Sequence, residues 1–249
     1  MWSFNAFCDE FYVNTRLYLK LDLDPARDTL LHFFEQIRRA YPRLTRLRRR
    51  DETGLVLDEE ENEQTGRKFV RLDAHALKFG YFSPPNARAV AEFGEMVLRQ
   101  APHQLSLSDL DYDYLEVVYG FDLEYRGNHD ELVAETLFAD HPLLAALTAD
   151  NQQVIDCQPF FGVAATDDCE RQVYLEIKGR TSTYEIRTND FEASPLSIYL
   201  TVRRYWGFSD QRDLVSTHRE LLAAAERYAA DRAVPAVVQP LASAIASRR

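Results

Sequence analysis

Glycine is scarce in this chain, nine residues in 249. None of them builds the strings that hold nucleotide phosphates, Gly-x-x-x-x-Gly-Lys or Gly-x-Gly-x-x-Gly, and no Gly-x-Ser-x-Gly nucleophile turn occurs. Nucleotide-loop and serine-hydrolase chemistry are set aside on that ground. Cysteine is equally sparse. Cys8, Cys157 and Cys169 are odd in number, far apart and without a Cys-x-x-Cys pair, which excludes a disulfide framework and a structural zinc site and suggests buried free thiols in a reducing compartment. No run approaches the roughly 18 to 20 apolar residues of a membrane-spanning helix. Residues 1–11 are apolar and aromatic but have no basic leading region and no small-residue cleavage site, and Asp9 and Glu10 come early; no export signal is expected, and the location expected is cytoplasmic. Positive charge is also short. Lys and Arg number 29 against 40 Asp and Glu, a net −11, which argues against a nucleic-acid partner because phosphate contacts need a broad basic face.

What is present is an ordinary globular composition, 46% hydrophobic and 28% charged, so neither disorder nor a membrane class is indicated. Leu17, Leu19 and Leu21 alternate with polar residues, the period of a half-buried strand. Asp24-Pro25 then starts a helix carrying Leu30, Phe33, Phe34 and Ile37 on one face until Pro42. A basic strand over 44–50, a turn at 51–54 and a strand from 55 read as a hairpin. The acidic run 58–63 reads as a solvated loop before an extended stretch over 68–82. A helix over 86–100 stops near Pro102. The clearest alternation runs through Leu115, Val117, Tyr119, Phe121 and Leu123. Short helices over 129–138 and 142–147 precede strands over 153–165, 171–179, 181–188 and 196–204, and a long helix closes from about Asp210 to Arg232.

Strands follow one another through short turns more often than through helices, which predicts an α+β fold: mainly antiparallel sheet with helices packed on one face. The element order suggests two α+β halves, 1–105 and 106–233, the second with a helix-grip-like order and a long C-terminal helix. A tail over 234–249, rich in Ala and Ser and containing Pro235 and Pro240, is expected to dock loosely. A single-domain reading of the whole stays open beside this division.

The sharpest local string is Gly127-Asn128-His129-Asp130-Glu131. It resembles the Gly-Asn-His-Asp/Glu motif of calcineurin-like metallophosphoesterases, in which Asn and His bind one of two metals. Asp73-Ala74-His75 looks like that family's Asp-x-His pair. The resemblance implies a binuclear site on Asp73, His75, Asn128 and His129. The family's Gly-Asp-x-x-Asp and Gly-His-x-His motifs are absent. Helix capping accounts for the same string: Gly127 turns the chain, Asn128 caps, Glu131 reaches back, and His129 and Asp130 occupy an exposed first turn.

Arginines crowd residues 38–50, and Arg46, Arg48 and Arg50 could meet an anionic partner. The acids at 58–61 would lie opposite them in a hairpin and neutralise them. Arg203, Arg204 and Trp206 combine residue types that interface hot spots favour, as well as ordinary scaffold stacking. Tyr112, Tyr114, Tyr119, Tyr125, Tyr174, Tyr184 and Tyr199 would spread aromatic surface over the second half's sheet. Together these features point to a non-enzymatic interaction protein with no cofactor. Its expected partner is protein, a second copy included. The alternatives are a divergent metal-dependent phosphoesterase and a small-molecule carrier enclosed by the second half.

Overall fold

The computed structural model describes residues 3–23, 25–50, 54–60, 66–150, 152–207 and 212–248. In chain order the elements are β1 (Glu10–Leu19), α1 (Arg27–Ala40), β2 (Leu44–Arg49), β3 (Leu55–Glu59), β4 (Arg67–Asp73), β5 (Ala76–Phe82) and α2 (Ala87–Gln104). There follow β6 (Tyr112–Tyr125), α3 (His129–Leu137), α4 (Pro142–Leu147), β7 (Phe160–Ala164), β8 (Arg171–Lys178), α5 (Thr183–Thr188) and β9 (Ser194–Tyr205). The chain closes through α6 (Leu214–Tyr228), a π-helical segment (Ala229–Val238) and α7 (Gln239–Arg248).

The strands join in one nine-stranded sheet of order β2-β3-β4-β5-β1-β6-β9-β8-β7, every pairing antiparallel. The α+β class with a mainly antiparallel sheet is therefore what the chain adopts. β1 and β6 are the longest-range partners and lie at the centre, each flanked on its outer side by the strand that ends its own run, β5 for β1 and β9 for β6. Their alternation sorts residues by face. Phe11, Val13, Thr15 and Leu17 pair with Phe121, Tyr119, Val117 and Leu115, and all of them are buried. Against this face pack Phe33 and Ile37 of α1, Phe93 and Val97 of α2, and Leu221 and Ala225 of α6, in one continuous apolar core.

Several segments depart from the sequence expectation, each for an identifiable reason. Residues 181–188 are not a strand. Ser182 and Glu185 form a reciprocal capping box that starts α5, and Asn189 closes it in the left-handed conformation. Residues 152–159 before β7 form no strand, because their backbone is tied largely to α3: the Asn128 side-chain amide donates to the Val154 carbonyl, and Cys157 N–H donates to Asp130. The extended stretch after the hairpin is two strands, β4 and β5, reversed at Ala74 and His75. The acidic run begins inside the sheet, since Asp58 and Glu59 belong to β3 and are buried, while Glu60 is exposed beyond the strand; residues 61–63 lie outside the described residues, as do the turn at 51–53, Asp24 and the expected helix start at Asp210. The last helix begins at Leu214, capped by Asp213.

The tail expected to dock loosely is helical and anchored, with Val234, Val238, Leu241 and Ile245 buried in the core. Pro235 lies in the π-helical stretch and Pro240 follows directly where α7 takes over. Pro102 falls in the last turn of α2, which runs on past it to Gln104. Among the cysteines, all free, Cys169 is exposed with φ 59° in the β7–β8 turn, while burial and Asp9 push the Cys8 thiol up to about 12, away from nucleophile chemistry.

Candidate interaction surface

The helices that bury side chains all join the core on the first face, and α4 and α5 bury none. The second face of the sheet mixes half-exposed side chains with buried ones such as Val118 and Ser197. Its middle is a row in which Arg71, Lys78, Arg16, Glu116, Arg203 and Gln172 stand side by side on successive strands. Glu116 is buried and receives Arg16 at 3.1 Å and Arg203 at 2.7 Å. Burial opposes the charge on Arg203, but Glu116 outweighs it and holds the guanidinium above its ordinary pKa. The same guanidinium lies over Tyr114, 4.2 Å from the ring centroid, and over Tyr174 at 5.1 Å.

The neighbouring row is aromatic. Tyr18, Tyr114 and Tyr205 are cross-strand partners on β1, β6 and β9, with Tyr18 and Tyr114 stacked at 4.4 Å and Tyr205 tilted against Tyr114 at 5.0 Å between centroids. Two glycines let further rings lie flat. A Cβ on Gly120 would enter the Tyr12 ring, and one on Gly162 the Tyr174 ring, so each tyrosine covers backbone that has no side chain of its own. The result is an aromatic and cationic platform held in place by stacking and by one buried carboxylate. In its central stretch, among the described residues, Lys78, Arg16 and Arg203 meet the carboxylates of Asp73 and Glu116. That is a local positive excess on a chain of net charge −11.

The residues singled out in the sequence are distributed as follows. Arg203 belongs to this platform, whereas its neighbour Arg204 points to the opposite face and pairs with Glu170 at 2.9 Å. Trp206 packs against the core beside Tyr112. The period of two in β9 therefore splits a group that is contiguous in sequence. Arg46 and Arg48 both reach Asp58, and Arg43 reaches Glu59, so acids of the facing strand do stand opposite the arginine hairpin. Arg50 N–H donates to the Gly54 carbonyl. Of the tyrosines, Tyr112 and Tyr119 are core residues, Tyr125 packs on His129, Tyr184 is exposed on α5, and Tyr114, Tyr174 and Tyr199 line the second face. Tyr205 stood within the Arg203 to Trp206 string; Tyr12 and Tyr18 are the members of the platform that sequence reasoning missed. Their signal, an alternating Tyr-x-Asn-x-Arg-x-Tyr over residues 12–18, begins before the leucines that marked β1 and overlaps the first of them.

Asn128 is the cap of α3, accepting from the N–H groups of Asp130 and Glu131. His129 and Asp130 are not in an exposed turn: both are 1% exposed. Burial lowers the His129 pKa and raises that of Asp130. The imidazole Nδ1 accepts from Arg180 N–H, which leaves Nε2–H to donate to the Tyr125 carbonyl; both nitrogens are spent on scaffold. Asp73 and His75 lie elsewhere. Asp73 is bound by Arg71 and by Lys78 at 2.8 Å, and His75 pairs with Asp22 at 2.6 Å. Ala76, next to His75, aligns with Tyr18 and through it with Tyr114 at the start of β6, whereas His129 follows Tyr125 at its end. Eleven residues of strand, roughly 35 Å, separate those two positions. The four candidate ligands do not converge. Among the described residues no cluster of three or more His, Cys, Asp or Glu is placed to hold a metal ion.

Two adjoining hollows, of about 470 and 500 Å³, run between α1 and strands β2 to β4 and share Leu31 and Leu47. A smaller one of about 160 Å³ lies between the end of α3, β8 and the π-helical segment, below the roughly 300 Å³ of a typical small-ligand site. No protein-family model, no curated protein sequence and no solved structure matches this chain.

Proposed function

We propose that this is a non-enzymatic binding protein whose working surface is the second face of the sheet, and that its ligand is another protein presenting an acidic, partly apolar segment. One observation carries the reading: a sheet face on which no helix buries a side chain, where the rings of Tyr18, Tyr114 and Tyr205 pack in a row around Arg16 and Arg203, both fixed by the buried Glu116. Preorganised tyrosine and arginine side chains contribute much contact area at low ordering cost, which is why such residues dominate binding hot spots. The local excess of cations favours an acidic partner on electrostatic grounds.

The test compares wild type with Tyr18→Ala/Tyr205→Ala in affinity capture from extracts of the source cells, with bound proteins identified by mass spectrometry. A specific protein retained by wild type in low salt, released by raised salt and lost from the double variant with unchanged circular dichroism supports the reading. Equal retention by both forms, or preferential retention of nucleic acid, overturns it.

A further inference from the structure

The two ends of the sheet are built differently. β2 carries Arg46, Arg48 and Arg49 and a register irregularity against β3 between Leu44 and Arg46, which are the devices that keep an edge strand from pairing with another chain. β7, at the other end, has none of them. Its sequence Phe-Phe-Gly-Val-Ala contains no charge and no proline, and it pairs with β8 without a bulge. All five residues are exposed, Phe160 at 62%, Phe161 and Val163 at 56% each. Phe160 stacks on Tyr174 of the neighbouring strand and so is held in an extended edge conformation. Ala165 N–H donates to Arg171 and Ile177 N–H donates to Pro159. This phase turns the N–H and C=O groups of Phe161 and Val163 toward β8 and those of Phe160, Gly162 and Ala164 outward. Among the described residues the outward groups meet no strand.

We propose that this edge joins two copies of the chain, β7 to β7 in antiparallel register about a two-fold axis at Gly162, so that two nine-stranded sheets become one. The register follows from the strand itself. With Gly162 opposite Gly162 of the other copy, the outward groups of Phe160, Gly162 and Ala164 meet one another as hydrogen-bonded pairs. Phe161 falls opposite Val163, and Phe160 opposite Ala164, a large side chain against a small one on both faces and no like charges within the strand. Val163 of the second copy then covers Phe161 where it borders the hollow formed with Leu137 and Val237.

The area sets the strength. At about 150 to 250 Å² for each phenylalanine and less for Val163, the exposed parts of Phe160, Phe161 and Val163 amount to roughly 300 Å² a copy, well under the roughly 800 Å² a partner of a stable interface. The dimer is accordingly weak and concentration-dependent. Because each copy has net charge −11, repulsion opposes association and added salt tightens it. This is opposite in sign to the salt response of the acidic partner above, so the two proposals fail separately.

Analytical ultracentrifugation across a wide concentration range tests it on the purified full chain. The expected mass rises from 28.8 kDa toward twice that value, more readily at high salt. Val163→Lys raises the dissociation constant at least about tenfold, while Leu47→Lys on the opposite edge leaves it unchanged. In a Cys169→Ser background, Phe161→Cys protein mixed with Val163→Cys protein forms a disulfide-linked dimer that neither forms alone, which reads the register and decides the matter should Val163→Lys impair folding. A monomer at the highest concentrations, or a dimer indifferent to Val163→Lys that fails to cross-link in this pairing, overturns the proposal.

Discussion

His218 is the residue whose environment contrasts most with its chemistry. It is fully buried on α6, with Nε2 3.0 Å from the Thr15 hydroxyl and Nδ1 without a hydrogen-bond partner among the described residues. The ring fills the space that Gly94 leaves on α2 and meets Phe79 edge-on. Burial lowers its pKa from 6.5 to about 4, with Glu95 opposing and Arg219 reinforcing the shift. Between those values the unfolded chain binds a proton that the folded chain refuses. Its contribution to stability is therefore complete above about pH 6.5, is lost as pH falls toward 4, and does not change further below that. The loss amounts to roughly 3 kcal/mol. Urea unfolding of wild type between pH 7 and 4 is expected to show this slope, and His218→Gln to show it reduced in the same interval. The position was not legible in the sequence, where His218 is a polar residue in a helix; only the approach of α2 through Gly94 makes it core.

At the scale of elements, α3 shows how one cap organises a neighbourhood. Asn128 accepts from two N–H groups at the start of the helix and donates to the Val154 carbonyl, so it ties the irregular 152–159 stretch to α3. Asn128→Ala is expected to cost about 1 to 2 kcal/mol in chemical denaturation, with a rise in hydrogen exchange confined first to α3 and residues 152–159. The capping role was readable from the string itself. The burial of His129 and Asp130 was not, because it depends on Cys157, Arg180 and Thr181 folding over the helix start. The α5 helix was readable in principle, since Ser182-x-x-Glu185 is a capping box, but its six residues gave too short a period to outweigh the alternating strands on either side.

The whole molecule is held by β1 pairing with β6 across a separation of about a hundred residues, and the same apolar core runs beneath strands from both runs. The closing helices return to it, with Leu241 and Ile245 buried. Denaturant unfolding followed by tryptophan fluorescence and by far-ultraviolet circular dichroism is expected to give coincident single transitions. Two separated transitions would mean that the strands either side of the β1–β6 junction melt independently. The same continuity leaves the second sheet face outside the core and puts the uncharged β7 at one end.

By itself the sequence determined the local grammar: alternating strands, amphipathic helices, the Asn128 cap, and an arginine hairpin with acids close enough in sequence to answer it. These depend on neighbours within a few residues, and period and capping chemistry are local properties. Tertiary structure alone decided which strands became central, which face the helices covered, that Arg203 and Arg204 would serve opposite faces, and that the proline-bearing tail would be core. Each of those depends on long-range pairing, and in a sheet the register of one strand on another assigns every side chain on both to a face.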